Sequence, residues 1–168
     1  MSHVTTHTPG GRERQFVFGP ERVRATILTT AADTDGRHDL VYGVLPPDAM
    51  VPLHQHSRYE ERLWVESGSM TVWAGADKAT LHSGDYYHVP LNVPHTYHAG
   101  PEGSRAIIIS SPAGFAEVIA RAGTPLHLAA SETEFDADLA MAVAAELGDT
   151  ILGPPGTTPA DLTNQQDT

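Results

Sequence analysis

Three histidines and one carboxylate in this chain have the types and the spacing of a metal-binding set. His54 and His56 occupy alternate positions of the run PLHQH, Glu61 follows them, and His95 lies further on, in HVPLNVPHTYH. Side chains at alternate positions of a β-strand point to the same face, so His54 and His56 project together if the run is extended. Imidazole and carboxylate groups together suit a divalent first-row ion: iron, nickel, copper, manganese, cobalt or zinc.

The position of Glu61 within its own strand pattern supports this interpretation. Glu61, Leu63 and Val65 share one face of an alternating run. A carboxylate on an apolar face costs free energy unless it is paired or binds a metal. We therefore predict one divalent transition metal ion per chain, held by a set of four residues: His54, His56, Glu61 and His95.

Neighbouring polar residues have alternative interpretations. Glu60 is an alternative to Glu61 as the carboxylate ligand, and it should face outwards if Glu61 faces inwards. Arg58 and Tyr59 lie in the turn beside the site and are interpreted as surface residues, with recognition of an acidic or aromatic substrate as the alternative. Other histidines are interpreted as hydrogen-bonded or solvated side chains: His3, His7, His82, His88 and His98.

The residues around the predicted ligands resemble the first of two motifs that define the cupin superfamily. An H-x-H pair, a glutamate and a closing glycine in that motif match His54, His56, Glu61 and Gly68. The gap between the glutamate and the closing glycine favours Glu61 over its neighbour. Asp48 stands where the motif has its opening glycine, at a turn that aspartate tolerates better than most residues.

The second cupin motif is matched by Gly84, Pro90 and His95. Asn92 and Ala99 stand where this motif has a glycine and an asparagine. All four positions that carry metal in cupins therefore hold ligand residues in this chain. The resemblance implies an all-β fold, namely a single cupin (jelly-roll) β-barrel with short C-terminal helices.

A further resemblance covers nearly the whole chain. The run TILTTAADTDGRHDLVYGVLPPDAMVPLHQH, and later PAGF, GTP and ILGPP, resemble small single-domain cupins of the quercetin 2,3-dioxygenase type. This implies a metal-dependent dioxygenase that uses O2 to open the ring of a flavonol or a related enolisable aromatic substrate. Glu61 would then be the catalytic base. Leu63, Val65 and Tyr97 are interpreted as substrate pocket, with core packing as the alternative.

Two other functions stay open at this point. One is a non-redox cyclase, isomerase or decarboxylase of polyketide-type secondary metabolism, in which the metal acts as a Lewis acid. The other is a non-catalytic barrel that binds a small molecule, against which the complete ligand set argues. Zinc would favour Lewis-acid chemistry, whereas iron, nickel, copper or cobalt leaves oxygen chemistry open.

Composition limits the partners. The formal net charge is −11, which argues against nucleic acids and anionic membrane surfaces. There is no cysteine, so neither a disulfide nor a thiolate ligand is available. The start MSHVTTHTPGGRER has no apolar segment of signal-peptide length, and no run is long enough to span a bilayer. We expect a cytoplasmic protein, and by analogy with the fold a homodimer that could exchange the strands of residues 15–29.

Turn signals and periodicity divide the chain into four parts. Residues 1–14 are predicted to be a flexible N-terminal arm, and residues 15–112 the β-barrel, with its short strands separated by glycine- and proline-containing turns. Residues 113–152 are predicted to be a helical extension, whose second helix runs over residues 135–147 and begins from Ser131 or Thr133. Residues 153–168 are predicted to be a disordered tail.

Overall fold

Alternating apolar and polar residues build most of the protein into β-strands. The computed structural model describes residues 12–164, so the predictions for His3 and His7 lie outside it. The strands among these residues are β1 (Gln15–Phe18), β2 (Val23–Thr29), β3 (Asp39–Leu45), β4 (Pro52–His56), β5 (Glu60–Ala74), β6 (Asp77–His82), β7 (Tyr86–Val89), β8 (His95–Ser111), β9 (Thr124–Pro125) and β10 (Asp149–Pro155). The helices are α1 (Phe115–Ala122), α2 (Ala137–Glu146) and α3 (Pro159–Asn164).

Two long antiparallel strands hold the barrel together. β8 pairs with β5 over almost its whole length, and it also pairs with β3 and β4. The resulting order is β10-β4-β8-β3-β2-β1-β9, with β6 and β7 joined to the sheet through β5. β5 and β8 each bend at register shifts, beside Ser67 and Gly68 of β5, which lets one strand serve both walls. This confirms the predicted all-β barrel with short C-terminal helices.

The inward faces of the strands form the core. The main cluster collects residues from β3, β5, β6 and β8, including Leu63, Val65, Val72 and Ala106, each of which is fully buried. A second cluster joins β1, β2 and β3 to α1 through Phe16, Ile27, Ile119 and neighbouring side chains. The barrel and its helical extension therefore fold as one packed body.

The run from Gln15 to Thr29 pairs inside its own chain. β1 lies between β2 and β9, so both of its edges are occupied by strands of the same molecule. The homodimer with exchanged strands stays a prediction. Within residues 12–164 we find no helix that is long and apolar enough to cross a membrane.

The C-terminal part is more ordered than the sequence predicts. Residues 153–164, assigned above to a disordered tail, continue β10 and then form α3. The reason lies in β4, whose pairing with β8 is recorded only between His54 and His95. Without β10, the backbone N–H and C=O groups along the other edge of β4 would be unpaired. β10 pairs with that edge in antiparallel orientation and satisfies them.

The second helix also differs in detail. It begins at Ala137 because Asp136 is its N-cap, with Oδ1 accepting from the amide of Leu139 at 2.9 Å; neither Ser131 nor Thr133 starts it. The helix buries the small residues Ala140, Val143 and Ala144 rather than Leu139, which is exposed. Two of these, Ala140 and Val143, pack with Ala122 of α1, so the two helices lie close together.

A carboxylate at the start of β3 fastens α1 to the barrel. Asp39 is buried, and its Oδ2 accepts hydrogen bonds from the amides of Gly114 at 2.7 Å and Ala116 at 3.1 Å. Gly114 has no side chain with which to cap α1, so Asp39 provides the cap from the start of β3. Burial raises the pKa of Asp39 above its ordinary value of 3.8, although the two amides oppose that shift.

We predict that Asp39→Ala lowers the free energy of unfolding by about 1–3 kcal/mol, because two buried amides lose their acceptor. Asp39→Asn keeps an oxygen acceptor and should lose less. Urea unfolding of the metal-free proteins measures both. Equal losses in the two variants would show that the cap does not depend on the acceptor oxygen.

The same pair tests the ionisation of Asp39. A carboxyl group whose pKa is raised by folding contributes stability below its unfolded pKa, and that contribution is lost as the pH rises through the folded value. The stability of Asp39→Asn, relative to the wild-type protein, should therefore increase as the pH rises from below the ordinary carboxyl pKa of 3.8 through the raised value in the folded protein. A difference in unfolding free energy that stays constant over this range would contradict the raised pKa.

Candidate metal centre

Three adjacent strands bring the four predicted ligands to one point inside the barrel. His54 and His56 come from β4, Glu61 from the start of β5 and His95 from the start of β8. His54 lies directly opposite His95 in the antiparallel pairing of β4 with β8. The potential ligand atoms of all four side chains lie within 4.8 Å of one another, and this group could hold a metal ion.

Each histidine is oriented by a partner on its Nδ1 atom. The carbonyl of Pro52 lies 2.8 Å from Nδ1 of His54, and the carbonyl of Val93 lies 2.8 Å from Nδ1 of His95. A carbonyl only accepts, so these Nδ1 atoms carry the proton. The Nε2 atoms of His54 and His95 are then unprotonated and available to a metal, as is usual for metal-binding histidine.

The carboxylate of Glu61 lies among these rings. Its Oε2 is 3.0 Å from Nε2 of His56 and 3.8 Å from Nε2 of His95. Glu61 is 2% exposed and His95 is fully buried, yet Oε1 of Glu61 and Nε2 of His95 have no hydrogen-bond partner among the described residues. Buried polar atoms are nearly always satisfied, so two such atoms facing one point fit a bound cation.

The protonation tendencies follow from burial and charge. Burial, together with the neighbouring rings of His95 and His56, lowers the pKa of His54 to about 3, so this ring is neutral. Burial also disfavours the charged form of His56, but hydrogen bonds to Asp149 and Glu61 outweigh it and raise the pKa to about 9. Burial acts against ionisation of Glu61 as well, but the hydrogen bond with His56 and the nearby rings of His95 and His56 prevail and hold its pKa well below the ordinary range.

A cavity of about 840 Å³ reaches this group of side chains. His54 and His56 form part of its wall together with Tyr97 of β8. The remaining wall is mostly apolar and comes from β1, β2, β3, α1, α2 and β10, for example Phe18, Val23, Phe115, Met141 and Ile151. A cavity of this size suits a small organic molecule.

The three residues predicted to form the substrate pocket do not all lie on the cavity wall. Tyr97, which also packs in the main core cluster, lines the cavity. Leu63 and Val65 do not, which corrects that part of the prediction. They share the inward face of β5 with Glu61, and both are fully buried in the main core cluster.

Other side chains around the site lie partly as predicted. Glu60 faces away from the cluster and bonds to Arg62 and His88, as expected when Glu61 faces inwards. Tyr59 was expected at the surface but is 1% exposed, because its ring stacks on His56 at a centroid distance of 4.3 Å. Asp149, which the sequence does not single out, contacts Nδ1 of His56 at 2.7 Å.

Comparisons with known proteins agree with this geometry. Residues 41–110, which contain every predicted ligand, match the family model described as "Cupin domain". A quercetin 2,3-dioxygenase from Aspergillus japonicus is 31% identical over 116 residues, which are 66% of this chain and 30% of the relative. A quercetin 2,3-dioxygenase from Bacillus subtilis (strain 168) is 26% identical over 99 residues, 59% of this chain and 29% of the relative.

The fold has counterparts among solved structures. An RmlC-like cupin from Shewanella frigidimarina NCIMB 400 superposes with a TM-score of 0.55, at 21% identity over 67% of this chain and 95% of that chain. The cupin barrel and the resemblance to quercetin 2,3-dioxygenases are thus confirmed. The matches span less than a third of the length of these two curated relatives.

We predict that the purified, untagged protein binds one divalent transition metal ion per chain, and that His54→Ala combined with His56→Ala abolishes this binding. Elemental analysis after reconstitution with iron, nickel, copper, manganese, cobalt or zinc measures the content. His82→Ala is the matched control, because His82 is exposed and lies outside the cluster. Metal retained at wild-type content in the double variant would show that the ion binds elsewhere.

Proposed function

We propose that this chain, whose cupin domain resembles the quercetin 2,3-dioxygenases, is a metal-dependent dioxygenase that opens the ring of a flavonol-like substrate. The observation that carries the proposal is a buried set of three histidines and one glutamate, with unpartnered atoms, at the wall of an apolar cavity. His54, His56, Glu61 and His95 would hold the metal ion. That ion would supply a Lewis-acid centre able to bind an ionised hydroxyl beside a ketone.

Glu61 is the group best placed to receive the substrate proton. Its Oε1 atom has no partner among the described residues and can accept a proton. In the proposed reaction the substrate hydroxyl gives its proton to Oε1 of Glu61 and becomes an enolate. Dissolved dioxygen then oxidises the enolate, with both oxygen atoms entering the products as ring carbon–carbon bonds break. Proton transfer by a positioned carboxylate is worth about 10²–10⁴-fold in rate.

The cavity wall supports an uncharged, largely apolar substrate. Among the described residues that line it, Arg22 is the only arginine or lysine. Its guanidinium is already bound, donating to the carbonyls of Thr133 at 3.1 Å and Ala130 at 2.9 Å. Glu132 and Glu134 add negative charge to the wall. An anionic substrate would therefore meet no free arginine or lysine side chain there, whereas a flat aromatic molecule would bury its surface against apolar side chains.

We predict that the metal-loaded protein consumes about one O2 per flavonol molecule, as ring opening by a dioxygenase requires, and that Glu61→Gln lowers kcat by about 10²–10⁴-fold. An oxygen electrode and the loss of flavonol absorbance measure both quantities. Glu60→Gln is the matched control, since Glu60 faces away from the cluster and should keep activity. The metal content of each variant must be determined, because Glu61 is also a predicted ligand.

The outcome separates this proposal from its alternatives. Absence of oxygen uptake with flavonols and related enolisable aromatics, after loading with each candidate metal, would exclude the dioxygenase. Turnover of such a substrate without oxygen, in the zinc form, would indicate Lewis-acid chemistry instead.

A further inference from the structure

Asp149 occupies an unusual place beside the predicted metal ligands. It begins β10, outside the barrel strands that carry the ligands, and pairs with His56 in the register of β10 with β4. Its side chain is 6% exposed and makes two contacts. Oδ1 lies 2.7 Å from Nδ1 of His56, and Oδ2 accepts from the hydroxyl of Tyr59 at 2.9 Å.

His56 therefore differs from the other two histidines of the set. The Nδ1 atoms of His54 and His95 face neutral backbone carbonyls, whereas Nδ1 of His56 faces a carboxylate. A carboxylate that accepts from one ring nitrogen fixes the tautomer and makes the other nitrogen a stronger donor to a metal. Two buried carboxylates, Asp149 and Glu61, also place two negative charges around His56, which a divalent cation would balance.

The surroundings hold Asp149 in this position. Ser57 reaches the carbonyl of Gly148 twice, through its amide at 2.9 Å and its hydroxyl at 2.7 Å. Gly148 has a φ of +91°, and an added Cβ there would lie 2.6–2.7 Å from atoms of Arg58 and Ser57. The start of β10 is thus in tight contact with the turn that follows His56.

Tyr59 completes the arrangement from the opposite side. Its ring stacks on His56 with an interplanar angle of 26°, while its hydroxyl donates to Asp149. Gly114 leaves room for this ring, because an added Cβ would lie 2.3 Å from Cδ1 of Tyr59. One side chain therefore fixes both the plane of the His56 ring and the orientation of the carboxylate.

We propose that Asp149 and Tyr59 are positioning residues for the metal centre, which orient His56 and strengthen its Nε2 atom as a ligand. This inference rests on the proposed metal site and is independent of the oxygen chemistry. It means that the ligand set reaches full affinity only when β10 is docked on β4.

The test compares zinc affinity in four forms of the full chain: wild type, Asp149→Asn, Tyr59→Phe and Asp138→Asn. Competition with a chelator gives the dissociation constants. We expect Asp149→Asn to raise the constant by about 10–100-fold and Tyr59→Phe, which keeps the stacked ring, by about 2–10-fold. Asp138→Asn alters an exposed acid of α2 and should leave the zinc dissociation constant unchanged.

A second readout separates orientation from general damage to the fold. In the zinc-bound wild-type protein, ¹⁵N NMR of the histidine rings should show a strongly hydrogen-bonded Nδ1–H on His56, and Asp149→Asn should weaken that signal alone. Circular dichroism of the metal-free forms checks folding. If Asp149→Asn does not fold, Tyr59→Phe decides: a raised constant supports the proposal and an unchanged one overturns it.

The remaining outcomes are also decisive. A folded Asp149→Asn protein that binds zinc within about twofold of the wild type, with an unaltered His56 signal, would overturn the positioning role. A wild-type protein that binds neither zinc nor any of the other five candidate metals would overturn the metal centre and this inference with it. Zinc binding, together with no oxygen uptake after loading with each candidate metal, would exclude the dioxygenase reaction while leaving the roles of Asp149 and Tyr59 intact.

Discussion

Burial of the Glu61 carboxylate is the constraint on which the rest of the structure depends. A carboxylate that is 2% exposed is stable only when neighbouring groups replace the water it has lost. His56 does so here through its Nε2 atom, 3.0 Å from Oε2 of Glu61, and each of the three histidine rings has an acceptor at its Nδ1 atom. Two of these acceptors are carbonyls of the barrel and the third is Asp149. A divalent cation held by the four predicted ligands would offset what remains of this buried charge.

This constraint links the helical extension to the barrel. Asp149 reaches His56 because β10 pairs with β4, and β10 follows α2, which packs on α1. α1 is itself fastened by Asp39 at the amide of Gly114, the same glycine whose missing side chain admits Tyr59. A chain of direct contacts thus runs from β3 through α1 and Tyr59 to the candidate metal centre. The extension belongs to the site as much as to the fold.

The parts of this site that the sequence predicts are those carried by local spacing. Because side chains alternate between the two faces of a strand, His54 and His56 are predicted on the same face. Glu61 is predicted as a ligand because it is a carboxylate on an apolar strand face. Asp149 has no such mark, because its contact with His56 depends on strand pairing between segments far apart in the sequence. Tyr59 follows a polar turn and has the local pattern of a surface residue, yet stacking on His56 buries it. Composition also fails to predict that residues 153–164 are ordered, for a similar reason. That order depends on β4 having a partner strand along its second edge.

The predicted metal ligands and most of the cavity wall come from different parts of the chain. The match to the cupin domain covers residues 41–110, which include all four predicted ligands. Much of the apolar cavity wall lies outside that range: Phe18 and Val23 precede it, and Phe115 and Met141 follow it. The predicted ligands therefore lie inside the matched domain, whereas the shape and charge of the cavity depend largely on segments packed against that domain.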